Sequence, residues 1–191
     1  FLIFSNLTLD PFFKSNLISF NYFVYSLIPI FYFFISIKLI FKTCNHLKVN
    51  INKPLIFLFI LGTGVSYYAF DRFSMSHIYE FFSVCLVMFL SSKVINSQTE
   101  NKYIYFILGL SIYLFLTIRF TNYFLIIIPA LILIIQNKNI KNIYFNIYFL
   151  FGNILGIVLF LMHTKYLYGM YTFNQADIVL QVENSIGNTY A

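Results

Sequence analysis

The chain has 191 residues, of which 60% are hydrophobic and only 9% are charged, against about 25% charged in an ordinary soluble domain. So few charged side chains do not cover a core of this size in water, so the composition excludes a soluble globular domain and indicates an integral membrane protein. The net charge of +6 does not indicate a nucleic-acid-binding protein, because the lysines lie in short clusters between apolar runs, where membrane topology signals occur.

Four apolar runs are long enough to cross a bilayer core of ~30 Å as helices. They are residues 20–41, 54–70, 78–94 and 143–162. The last run contains Gly152 and Gly156, whose small-xxx-small spacing permits close helix packing, although two glycines in a span also occur without it. Cys44 is predicted in a loop and Cys85 in mid-helix, so we expect neither a disulfide nor a metal site.

Residues 103–135 are too long for one ordinary crossing, since a helix of this length would extend about 50 Å. Residues 119–122 interrupt the run, and splitting it there gives two short spans and six spans in all. Eight basic residues then lie on one side of the membrane, with Glu100 as the only acid, against four on the other. If residues 103–135 formed one long span instead, this asymmetry in basic residues would be weaker. We therefore predict an all-α transmembrane bundle of about six spans, including one pair of short helices.

The ends of the sequence indicate a fragment of a longer protein, because it begins with Phe1 and stops at Ala191 within a polar stretch. Residues 1–162 are predicted to form the transmembrane domain. Residues 163–191 are predicted to begin an external loop or domain.

Ionisable residues cluster at the predicted external edge, between the second and third spans. Asp71, Arg72, His77 and Glu80 fall within ten residues. His77 and Glu80 are three apart and therefore share a helical face, and the N-terminus of that helix suits an anion such as phosphate. Simpler interpretations stay open: a solvated turn for Asp71 and Arg72, an interfacial role for His77, and an ion pair with an arginine for Glu80.

Arg119 lies between two apolar runs, where an arginine is costly unless it reaches water or finds a partner. A phosphate-bearing ligand is one such partner, since guanidinium binds phosphate through a bidentate fork. The tyrosines at these edges are typical of an aromatic belt; they are Tyr67, Tyr68, Tyr79 and Tyr123. From the residues alone, the pattern indicates an external polar site on a membrane scaffold without specifying a reaction.

The segment GTGVSYYAF, residues 62–70, precedes Met75-Ser76-His77 and then Phe81-Phe82. This order resembles GT-C-type membrane glycosyltransferases of bacteria, in which a G-T-x-x-x-Y-Y span leads to M-S-H-x-x-x-F-F. The family's downstream R-P-T-N segment is similar to residues 119–122, with Phe120 in place of Pro. Glu80 stands where a small residue is common in the family. The likeness covers residues 55–129.

The resemblance implies an enzyme of the bacterial inner membrane that transfers a sugar from a polyprenyl-phosphate donor to an acceptor at the external face, by inverting displacement. Its implied partners are membrane lipid and the lipid-linked sugar, with no nucleic acid. A divalent cation is the one cofactor that the resemblance leaves open. An acidic catalytic base is expected in an external loop before Phe1. The implied substrate-binding residues are Arg72, His77, Glu80, Arg119 and Asn122.

Two other classes of function fit the same features. A transporter or flippase is one, since intramembrane Arg, His and Glu also mark transport pathways. Broken helices in both halves of the chain would favour transport, and the sequence indicates only one such break. A structural or assembly membrane protein is the other.

Overall fold

The computed structural model describes residues 20–71, 76–96, 101–136 and 141–173, and every regular element among them is helical. The α-helices are α1 (Phe20–His46), α2 (Lys53–Leu61), α3 (Gly64–Phe70), α4 (His77–Asn96), α5 (Lys102–Leu114), α6 (Ile127–Ile135), α7 (Lys141–Tyr144) and α8 (Ile147–Tyr168). Two 3-10 helices, Phe115–Thr117 and Phe120–Ile126, lie between α5 and α6. The all-α prediction is confirmed for these residues. The chain divides into two compact units, Phe1–Leu86 and Val87–Ala191.

Three helices are long and apolar enough to cross a membrane by themselves: Ser26–His46, His77–Ile95 and Ile147–Leu167. Helices α2 and α3 together make a fourth candidate span, which is bent by 69°. Lys102–Thr117 and Asn122–Ile135 are shorter apolar helices. In the described part of the chain, length and composition therefore give three straight spans, or four with the bent pair.

Helix ends differ from the predicted limits where polar groups cap them. Helix α1 runs on to His46, so Cys44 lies in a helix, and its predicted loop position is wrong. Helix α8 begins four residues later than predicted, because Asn146 Oδ1 accepts a hydrogen bond from Tyr148 N at 3.0 Å. It continues past residue 162 to Tyr168, and the Gly169 that follows has a φ of 76°, the left-handed conformation that glycine adopts readily.

Aromatic side chains hold the first unit together. The Phe33 and Phe70 rings lie 5.6 Å apart, which joins α1 to α3. The Tyr32 ring contacts Tyr79 at 5.2 Å and Phe82 at 4.8 Å, which joins α1 to the start of α4. The buried core between these contacts consists of Phe33, Ile37, Ile60, Ala69 and Ile78. Helix α1 thereby fixes the end of α3 and the beginning of α4.

The predicted second span is broken at Gly62 and Thr63. The Ser66 hydroxyl lies 2.7 Å from the carbonyl oxygen of Leu61 and 2.8 Å from that of Thr63. The Thr63 hydroxyl donates to the carbonyl of Ile60 at 2.6 Å. An unpaired backbone group costs several kcal/mol in lipid, so these hydroxyls stabilise a bend that would otherwise expose carbonyl groups.

Glycines bring α5 and α8 of the second unit into backbone contact. A Cβ atom at Gly109 would lie 2.2 Å from the carbonyl oxygen of Phe149, and one at Gly152 would lie 2.2 Å from that of Phe106. A Cβ at Gly156 would lie 2.8 Å from Tyr113 Cβ. Gly152 and Gly156 therefore pack closely, which the sequence left open as one of two alternatives, and their partner is another helix of the same chain.

Candidate functional site

The first unit pairs two of the predicted site residues at the start of α4. His77 Nδ1 lies 3.3 Å from Glu80 Oε2, as expected for residues one helical turn apart. The His77 side chain is 39% exposed and that of Glu80 is 19% exposed. A carboxylate acceptor at Nδ1 selects the tautomer that carries its proton there, and leaves Nε2 as the nitrogen for a ligand.

The helix start itself orients this pair. The carbonyl of Ser76 accepts hydrogen bonds from the backbone N–H groups of Tyr79 and Glu80, both at 3.0 Å. An acid in the first turn is also stabilised by the positive end of the helix dipole. The Glu80 carboxyl group is therefore held beside the imidazole.

Tyr68 completes this site and was not predicted to belong to it. Its ring centroid lies 4.4 Å from that of His77, with the planes tilted by 45°. The sequence predicts an aromatic-belt position for Tyr68, because nothing in the residue spacing places the end of α3 against the start of α4. The contact limits how far the imidazole turns away from Glu80. We call Tyr68, His77 and Glu80 the α4 triad.

Asp71 and Arg72 are the other two ionisable residues predicted at this edge. Asp71 is exposed and follows α3, where its N–H donates to the carbonyl of Tyr67 at 2.9 Å. It therefore occupies the turn position that the sequence left open as an alternative. Arg72 lies outside the described residues, and its predicted role in substrate binding stays a prediction.

The second unit contains Arg119 and Asn122 at the predicted interruption. Arg119 has an extended backbone, with φ of −159° and ψ of 136°, between the two 3-10 helices, and its side chain is exposed. Its carbonyl accepts a hydrogen bond from Asn122 N at 3.0 Å. The apolar run is thus interrupted at the place where charge asymmetry put the break, and Arg119 stands at that break.

Asn122 stabilises the interruption at Arg119 through a side-chain hydrogen bond. Its side chain is buried, and Nδ2 donates to the carbonyl of Phe115 at 2.8 Å. This bond joins the end of α5 to the second 3-10 helix across seven residues. Asn122 was predicted to bind or orient substrate, and the geometry gives it a positioning role for the turn that carries Arg119.

Comparison with protein-family models, with curated proteins and with solved structures finds no match. The family resemblance of residues 55–129 accordingly stays a prediction. No group of three or more His, Cys, Asp or Glu side chains that could hold a metal ion occurs in the described part of the chain. The α4 triad and the Arg119 turn belong to different units, and each is considered by itself.

Replacing Asn122 with alanine is expected to loosen the Arg119 turn. The change removes a buried hydrogen bond, which contributes about 1 kcal/mol, while the Phe115 carbonyl keeps its bond from Ile118 N at 3.1 Å. Hydrogen exchange of the backbone amides at residues 119–126 should become faster, while exchange in α1 stays unchanged. Thr121→Ala is the neighbouring control. Equal protection in Asn122→Ala and the parent protein would contradict the positioning role.

Proposed function

We propose that this chain is the transmembrane part of a glycosyltransferase that moves a sugar from a polyprenyl-phosphate donor to an acceptor at the external face of a bacterial inner membrane. The observation that carries the proposal is the α4 triad, a His–Glu pair under a tyrosine ring at the start of a membrane helix, on the M-S-H segment of the resemblance. In the transfer, an acceptor oxygen bonds to the anomeric carbon, the bond to phosphate breaks, and polyprenyl phosphate leaves. The acceptor proton passes to the acidic base that the resemblance implies.

The chemistry of the α4 triad suits a polar ligand at the membrane edge. Glu80 orients the imidazole, so the remaining ring nitrogen meets a hydroxyl or a phosphate oxygen in a fixed direction. The half-exposed position leaves room for a ligand, and the helix start adds a favourable potential for an anion.

Arg119 supports the same proposal independently. Arg119 is an exposed, extended residue between two 3-10 helices, and Asn122 holds that turn. A guanidinium group is suited to the charge that develops on a departing phosphate, because its planar donors contact two oxygens at once.

The proposed topology has six spans, with the short helices α5 and α6 crossing as a pair and both ends of the chain outside. The connection between α6 and α8 then lies inside. A single cysteine at Asn139, introduced after Cys44→Ser and Cys85→Ala, should resist a membrane-impermeant maleimide added outside intact cells and react after permeabilisation. A cysteine at Asp71 is the matched external control and should react at once. Ready labelling at position 139 in intact cells would overturn the six-span topology.

Transport is the second candidate, and the fold favours it more than the sequence does. Both units contain an interrupted apolar segment, at Gly62–Thr63 in the first and at Arg119 in the second. Discontinuous helices in corresponding parts of a chain are typical of transporter binding sites. A flippase would move the lipid-linked sugar across the membrane without breaking its bond to phosphate.

The two functions are distinguished by whether the lipid-linked sugar donor is cleaved or stays intact. The full-length protein is reconstituted into vesicles with polyprenyl-phosphate hexoses and pentoses and with acceptor lipids extracted from the source membrane. Glycosyl transfer releases polyprenyl phosphate. Movement of an intact fluorescent donor between leaflets without this release would establish transport and overturn the enzyme proposal.

His77→Ala should lower the rate of sugar transfer about 10- to 100-fold, because a hydrogen bond to a charged ligand contributes ~1.5–3 kcal/mol. Glu80→Gln keeps the size of the side chain and should cause a smaller loss, because it acts through His77. Ser83→Ala, one helical turn further along α4, is the control and should leave transfer unchanged. Transfer at the parent rate in His77→Ala would remove the α4 triad from the site.

A further inference from the structure

The last turns of α1, the start of α2 and the connection between them carry a cluster of positive charge. Its four lysines are all exposed; they are Lys38, Lys42, Lys48 and Lys53. The sequence contains no Asp or Glu between Asp10 and Asp71, so this segment carries no acidic residue of its own. We call these four lysines, with the chain that joins them, the α1–α2 basic loop.

The backbone of this loop places a lysine where a glycine is usual. Lys48 has φ of 56°, in the left-handed region. Val49 N donates to the carbonyl of Cys44 at 3.0 Å, and Lys48 N donates to that of Asn45 at 3.2 Å. These two bonds form the Schellman motif that ends α1, and its left-handed position favours glycine because a Cβ atom is disfavoured there. Lysine is less favourable than glycine in this conformation, but Lys48 places a positive charge at the tip of the loop.

The length of α1 brings the loop to the membrane surface. Its 27 residues extend about 40 Å, against about 30 Å of hydrocarbon. The helix is therefore longer than the hydrocarbon is thick, and its charged end, with Lys42, is the end expected to reach the lipid headgroups. Val49 is 51% exposed beside Lys48, and an apolar side chain among lysines is suited to the boundary between headgroups and acyl chains.

We propose that the α1–α2 basic loop binds anionic phospholipid headgroups of the leaflet at which it emerges. Clusters of lysine next to a membrane helix are attracted to an anionic surface, and each additional charge strengthens the attraction. A ligand in solution would meet the same charges, but the projection of α1 and the exposed Val49 favour a lipid. This binding does not depend on sugar transfer.

The absence of tryptophan from the sequence makes a direct test possible. In Val49→Trp, the only tryptophan of the chain lies in the loop. The chain is reconstituted into phosphatidylcholine vesicles with ~30% phosphatidylglycerol, with one or the other lipid brominated as a quencher. We expect brominated phosphatidylglycerol to quench several-fold more effectively per molecule than brominated phosphatidylcholine. The preference should fall toward one in about 0.5 M NaCl, because salt screens the charges.

Variants separate headgroup binding from folding. Lys42→Gln/Lys48→Gln/Lys53→Gln in the Val49→Trp background should abolish the preference. Lys48→Gly should weaken it about twofold or more, while the chain unfolds at the same or a higher temperature, because glycine relieves the left-handed backbone. Tyr171→Trp, whose neighbour is the single Lys165, is the control reporter and should show little preference.

Three results would overturn the proposal. Equal quenching by the two brominated lipids at position 49 is the first, and a preference that survives in the triple glutamine variant is the second. The third is a preference that millimolar inorganic phosphate removes at constant ionic strength, which would assign the loop to a soluble phosphate.

Discussion

Gly109→Ala is expected to force α5 and α8 apart and to destabilise the second unit by about 1–3 kcal/mol, the usual cost of overpacking. The new methyl group would stand 2.2 Å from the carbonyl oxygen of Phe149 and 3.0 Å from Asn153 N. These are backbone atoms of the facing helix, so no side-chain rotation relieves the contact. Gly109→Val should be worse, because a branched side chain needs still more space at the same point.

The measurement is thermal unfolding of the detergent-solubilised chain by circular dichroism. A loss of this size lowers the midpoint by about 2–4 °C per kcal/mol for a chain of this length. Gly64→Ala is the matched control, since its Cβ would meet only Tyr68 Cε2 at 4.0 Å. That variant should keep or raise the midpoint, because alanine restricts the unfolded chain. A midpoint for Gly109→Ala as high as that of Gly64→Ala would contradict the backbone contact.

Arg119→Ala is expected to lower sugar transfer about 100- to 1,000-fold, the typical loss when a donor to developing charge is removed. The side chain is exposed, so membrane insertion and thermal stability should not change. Arg119→Lys keeps the charge without the bidentate geometry and should recover only part of the rate. The rate of sugar transfer by the parent protein and the two variants is measured as release of polyprenyl phosphate from a labelled donor.

Lys93→Ala is the control for Arg119, because it removes an exposed positive charge from the same unit at a different place. It should transfer sugar at the parent rate. An equal loss of sugar transfer in Lys93→Ala and Arg119→Ala would show that the effect depends only on net charge. No loss in either would leave the Arg119 turn without a role in transfer, whatever the α4 triad does.

Much of the helical plan is predictable because lipid imposes simple rules on length and charge. The interruption at Arg119 follows from the distribution of lysines, and the close packing of α8 follows from the spacing of Gly152 and Gly156. Asn146 and Asn52 also indicate helix starts, because asparagine is a preferred N-cap residue and both residues cap the helices that follow them.

The bend between α2 and α3 was not predicted, because a hydropathy count measures how apolar a run is and not whether it is straight. Gly62-Thr63-Gly64 was the available signal, but the bend also depends on Ser66 satisfying two freed carbonyls. The contact between the Tyr68 and His77 rings was not predicted for a different reason. It depends on how α3 and α4 approach each other in space, which residue spacing along one helix does not encode.

The glycine contact between α5 and α8 has a consequence for biosynthesis. Helix α5 is only about 20 Å long, and the glycine face that pairs with it emerges from the ribosome some forty residues later. At a synthesis rate of about 5–20 residues per second, α5 waits roughly 2–8 s for its partner. During that interval the face of α5 around Gly109 lacks the helix that packs against it. The order of synthesis therefore makes α5 one of the last elements of the second unit to settle, although it enters the membrane before α8.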